Sequence, residues 1–173
     1  MLKKEKGKYI LQMRKYHNKI STRKSQNKNN TRKLYKISGN ADAFEREITV
    51  RFLEMIIMIK LYHWKTYTYA THIATDDLYS KINKNMDKFI EVLLGKVGNR
   101  INLLKHKTIK LTDFDSSIDD TKKFKHEIIK FKEYLVNLNS NPFMVKMSNT
   151  DLYNIRDEIL GDLNQFLYLF TFK

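Results

Sequence analysis

Apolar side chains fall at Phe44, Ile48, Phe52, Met55/Ile56, Ile59 and Tyr62/His63, a three-and-four spacing held for about five helical turns. Such a stripe buries one helix face and leaves the other to water. It predicts a helix starting near Ser38–Asp42. A second is predicted from about Thr68 to Leu94, with Gly95 as its stop. A connection over residues 96–117 follows, with a short helix expected at Arg100–Lys107. The third helix is expected over Ile118–Leu138, with Phe124, Ile128, Phe131, Leu135 and Leu138 on one face. Asn139-Ser-Asn-Pro-Phe143 reads as a turn. The last helix opens at Ser148 or Thr150 and carries Leu152, Ile155, Ile159, Leu163, Phe166, Leu167 and Phe170. One proline and five glycines argue against a turn-rich sheet fold. The expected fold is all-α, an antiparallel four-helix bundle.

The charge separates a second region from this one. Residues 1–36 hold 13 Lys/Arg and one acid, Glu5, for a net +12 of the chain's formal +14. The other 137 residues are nearly balanced, with 20 bases and 18 acids. The bases of the arm are Lys3, Lys4, Lys6, Lys8, Arg14, Lys15, Lys19, Arg23, Lys24, Lys28, Arg32, Lys33 and Lys36. Residues 1–37 are therefore expected to be a disordered arm, with residues 8–16 able to form a short helix on a partner, and residues 38–173 the folded domain. Cations without a structured reading element suit phosphates, so the expected partner is DNA, gripped without sequence preference. The absence of cysteine excludes disulfide scaffolds, thiolate zinc sites and Cys nucleophiles. No run approaches the roughly 18 apolar residues of a membrane span, and no apolar segment of a secretory signal follows the N-terminal lysines. An intracellular setting with no membrane partner is expected.

The second helix has three faces. At about 100° per residue from His72, Asp76 lies near 40°, Asp87 near 60° and Glu91 near 100°. On the same wheel the apolar stripe of Leu78, Ile82, Met86, Phe89 and Leu93 spans about 240–320°, and Lys84, Lys88 and Lys81 span about 120–180°. Carboxylates on a merely solvated face would mix with the lysines, whereas here the two are segregated. Along the axis, His72 to Asp76 and Asp87 to Glu91 are each about 6 Å, while Asp76 to Asp87 is about 16 Å. One metal ion with ligands at about 2 Å cannot span that distance. The pairs are two half-sites, which an antiparallel two-fold partner would complete twice over. His63, at the end of the first helix, can join the His72 end.

Tyr62-His63-Trp64, then His72-xxx-Asp76 and Asp87-xxx-Glu91, resembles the Dps mini-ferritins (DNA-binding proteins from starved cells), over about residues 59–95. The resemblance implies a ferritin-like bundle and a di-iron ferroxidase centre shared across a two-fold. His63, His72 and Asp76 would come from one subunit, and Asp87 and Glu91 from its partner. It also implies a closed shell of twelve subunits that oxidises Fe²⁺ with peroxide or O₂ and stores the product. Two neutral imidazoles and three carboxylates bring roughly −3 against the +4 of two Fe²⁺ ions, and the donor types suit a redox-active metal. The interval from His63 to His72 is shorter than the family's, so His63 is expected to matter less than the second-helix ligands. The pattern is also similar to ferritin-like proteins of large DNA viruses, which extends the expected setting to DNA-associated or virion-enclosed protein.

A blander alternative stands beside each of these readings. The carboxylates could form a solvated or subunit-contact face, and Trp64 could serve as interface packing. The whole chain could be a non-enzymatic DNA-packaging or particle-structural protein with a vestigial metal site. No Gly-rich phosphate loop or nucleophile triad is visible.

Overall fold

A computed structural model describes residues 41–98, 100–103, 108–115, 118–146 and 149–172. Chain contacts divide the protein into residues 1–40 and 41–173, and every described residue lies in the second unit. The arm expected over residues 1–37, its thirteen bases and its short helix lie outside the described residues.

The described residues are helical, with no strand among them. Helix α1 occupies residues 41–65. It is followed by α2 (Tyr69–Val97), α3 (Ile118–Asn137), the short α4 (Pro142–Lys146) and α5 (Thr150–Leu169). A 3₁₀ turn, Leu138–Ser140, extends α3. Its successor α4 starts on Pro142, where the missing N–H costs nothing, and Asn141 Oδ1 accepts from Phe143 N at 2.9 Å. Residues 139–143 are thus a capped helix start as much as a turn. Of the short helix expected at 100–107, residues 100–103 are not helical and 104–107 lie outside the described residues.

The end of α2 corrects the sequence reading. Gly95 is inside the helix, and the stop is Gly98, whose φ of 71° places it in the left-handed region while its N–H donates to Leu94 O at 2.9 Å. Both glycines sit near the helix end, and only the one that must reverse its φ acts as the cap. No atom lies within 4 Å of a Cβ added at either position. Backbone preference alone therefore decides the outcome of substitution. Gly98→Ala should destabilise by about 1 kcal/mol. Gly95→Ala should stabilise by about 0.5–1 kcal/mol. Thermal unfolding of the two variants beside the parent checks the opposite signs.

The expected stripes form the core. Phe44, Ile48, Phe52, Met55, Ile56, Ile59 and Tyr62 of α1 are buried with Leu78, Ile82, Phe89 and Leu93 of α2. Phe124, Ile128, Phe131 and Leu135 of α3 and Leu152, Ile155, Ile159, Leu163 and Phe166 of α5 join the same cluster. Met86 is only partly buried against it. Contacts between helices run in opposite sequence order. From α1 to α2, Phe52 meets Phe89 edge-on at 5.4 Å and His63 stacks on His72 at 3.9 Å. From α1 to α3, Phe52 meets Phe131 at 6.0 Å and Tyr62 stacks on Phe124 at 3.8 Å. From α2 to α5, Lys81 donates to Gln165, Asn85 to Asp162, and Lys88 pairs with Glu158. From α3 to α5, Phe124 meets Phe166 at 6.0 Å and Lys132 donates to Asn164. No described helix is long and apolar enough to cross a membrane.

Candidate metal centre

Helix α1 ends on Tyr62-His63-Trp64-Lys65, and the link to α2 is only residues 66–68. A link that short folds α2 straight back, so the last turn of α1 faces the first turn of α2. Tyr62 is pinned inside by Phe124, which turns the next residue, His63, toward α2. His63 is 6% exposed.

The two histidines hold each other across the hairpin. His63 Nδ1 lies 3.0 Å from His72 O, and His72 Nδ1 lies 3.2 Å from His63 O. A backbone carbonyl only accepts, so each ring donates from Nδ1, and in its neutral form it carries the lone pair on Nε2. Thr75, fully buried beneath them, lies 3.1 Å from His63 Nδ1 through its hydroxyl, and that hydroxyl donates back to the helix carbonyls of Thr71 and His72. Ligating histidines elsewhere are oriented in this manner, with the ring N–H spent on a carbonyl and the other nitrogen free.

Asp76 comes to the same place. Its Oδ1 lies 3.8 Å from His63 Nε2 and 3.6 Å from Lys60 Nζ. A lone pair and a carboxylate oxygen facing each other repel unless a cation lies between or beside them. Lys60 is that cation here, and its ammonium also sits 4.4 Å from the Tyr79 ring centroid. The separation of 3.8 Å is within twice the ligand distance of about 2.1 Å for a transition metal. Two donors at that separation have the spacing to share a borderline divalent ion; Asp76 is more than half exposed and His72 is exposed at the surface.

Asp87 and Glu91 are not brought to these three. Both are exposed further along α2, and neither has a partner among the described residues. Their distance from Asp76 is that of the helix rise, about 16 Å for Asp87. Among the described residues no group of three or more His, Cys, Asp or Glu is arranged to hold a metal ion within one chain.

Two features escaped the sequence reading. Lys60 lies three residues before His63, one helical turn back on the same face, and that spacing was the available signal. Thr75 carried none, because a threonine inside an amphipathic helix is usually ordinary packing. Around the half-site the surface is apolar, with Trp64 67%, Tyr67 85%, Tyr69 80% and Ile73 49% exposed.

A family model described as "Family of unknown function (DUF5856)" matches residues 63–170, a span that contains all five candidate ligands. No curated protein and no solved structure matches the chain.

Proposed function

The chain belongs to DUF5856, a family of unknown function matched over more than half its length, and from its own residues we propose that it is a Dps-like mini-ferritin. In this reading Fe²⁺ is the substrate, bound between two copies related by a two-fold, oxidised by peroxide or O₂ and stored as the ferric product. One observation carries the proposal. His63 and His72 spend their Nδ1 hydrogens on each other's carbonyls, which leaves Nε2 as the acceptor of each neutral ring and places one of them beside Asp76. His63, His72 and Asp76 would supply one side of the centre, and the partner's copies of the α2 carboxylates at positions 87 and 91 the other.

The helix contacts support a ferritin-like bundle. They join α1 to α2, α2 to α5, α5 to α3 and α3 back to α1, each pair antiparallel. That cycle makes α2 and α3 parallel, joined by the single long connection over residues 98–117, and one long crossover is the ferritin-like arrangement. The exposed face of α2 supports a two-fold partner. Tyr69 and Ile73 fall at about 60° and 100° on the wheel used above, within the arc of the carboxylates. A large apolar surface beside Asp87 and Glu91, which have no partner among the described residues, is the composition of a contact face rather than of a solvated one. A closed shell of twelve would follow from repeating that contact.

Titration of the full chain with Co²⁺, followed by its visible absorption, tests the site without relying on turnover. Binding should be lost in His72→Ala and in Glu91→Ala alike, and sedimentation should show a dimer or larger assembly at micromolar concentration. A stable monomer would remove the shared centre, because no single chain can close it.

The basic arm is proposed to hold DNA. Removing residues 1–36 should abolish most of the affinity in a filter or gel-shift assay while helical circular dichroism persists. With the full chain, log K should fall linearly with log salt at about −0.9 per phosphate contacted. Undiminished binding by the shortened chain would move the contact to the lysine face of α2.

A further inference from the structure

At the hairpin end of the domain, beside the candidate metal residues, the 66–68 link, the Phe114–Asp115 strip, the start of α3 and the tail of α5 line an open cleft of about 660 Å³. That volume is in the range of small-molecule sites. Its walls are aromatic, from Tyr62, Phe114, Phe170 and Phe172, with threonine hydroxyls around them. Set into this wall is Asp120. It is 8% exposed, and its Oδ2 has no hydrogen-bond partner among the described residues.

A buried carboxylate without a partner is costly, and native structures usually answer it with an ion, a water or a ligand. The other acid lining the cleft, Asp115, is exposed. The cation that lines it, Lys65, is already committed, donating to Asp113 Oδ1 at 2.6 Å and to Phe114 O at 2.7 Å. Those two bonds also tie the α1–α2 hairpin to the strip that forms one wall.

We propose that this cleft binds a small organic cation, an ammonium or guanidinium carried on a flat apolar body, with the charge offset by Asp120 and the body laid against Phe170 and Phe172. A carboxylate supplies the charge complement, and aromatic faces favour both a cation and a planar ring. The chain's net charge of +14 works against any nonspecific attraction of such a ligand, so a preference for cations must come from local groups.

The test is calorimetric titration of the full chain with tryptamine, with indole-3-propionate as the probe of the same ring and opposite charge. Tryptamine should bind at least about tenfold more tightly, a margin of about 1.4 kcal/mol. Asp120→Asn keeps the shape and should remove most of that margin. Ala70→Trp, at an exposed position on the cleft wall, should weaken tryptamine at least tenfold by filling the space, and it serves if the Asp120 variant does not fold. Equal affinity for the two probes, tryptamine binding that neither variant changes, or no binding at millimolar concentration would each overturn the assignment.

Discussion

Iron oxidation should fall to near background when either half of the α2 face is removed, and mixing the two inactive proteins should bring part of it back. His72→Ala/Asp76→Ala strips one half of each shared centre, and Asp87→Ala/Glu91→Ala strips the other. A homodimer of either variant has two incomplete centres. A mixed dimer has one intact centre and one emptied of all four groups, so reassembly should restore up to about half the activity per mixed dimer. The four residues belong to one helix, and Asp87 and Glu91 are exposed and without partners among the described residues, so their loss should leave the fold intact. Stopped-flow absorbance of ferric product after mixing and refolding reads the result. Mixed dimers that form but remain inactive would refute a shared centre. A parent protein with no iron-dependent oxidation would favour the DNA-packaging or particle-structural alternative. Against the expectation from the short interval, His63→Ala should be about as damaging as His72→Ala, because it removes the ring whose Nε2 lies 3.8 Å from Asp76 Oδ1, although His72 keeps its bond to the main-chain carbonyl of residue 63.

The largest loss of stability is expected at Phe124. Its ring is fully buried, lies 3.8 Å from and nearly parallel to Tyr62, and meets Phe114, Phe166 and Phe170 at 5.5–6.0 Å. One side chain therefore joins α1, α3, α5 and the 108–115 strip. Phe124→Ala should cost about 3–5 kcal/mol, a large part of the stability of a domain this size. Urea unfolding measures it. Phe124→Leu, which keeps most of the volume, should cost markedly less. Since Tyr62 sets the direction of His63, the alanine variant should also weaken Co²⁺ binding in whatever fraction remains folded. A variant with unchanged midpoint would show that the aromatic cluster is not where the core's stability resides.

The helices were legible because their apolar stripes have a helical period that few other arrangements share. Phe44 to Tyr62, Phe124 to Leu138 and Leu152 to Phe166 all lie in the core as their spacing predicts. The exact stop of α2 was not legible, since Gly95 and Gly98 are chemically identical and only a backbone angle distinguishes them. The grouping of His72 and Asp76 followed from one turn of helix. What the sequence could not express was the contact between helices. The stacking of His63 on His72, the buried Thr75 hydroxyl and the approach of Lys60 all depend on how tightly α1 and α2 close. Asp120 was hidden for the same reason, an acid near a helix start that looks like an ordinary solvated charge until the cleft around it is built.

The reciprocal bonds between His63 and His72 have a bearing on what lengths of chain this design can accept. Each ring reaches the carbonyl of the other across a count of nine residues. Substitution at Lys65, Thr66 or Tyr67 leaves that count unchanged. Insertion or deletion of a single residue there shifts the phase of α2 by about 100° relative to α1, if the helices stay docked. Both bonds then fail in the same event, and the carboxylate face turns away with them. Chains of this lineage that keep the paired rings should thus vary more in the letters of the hairpin, Lys65 with its two bonds apart, than in its length, so the interval itself is the heritable mark of the pair.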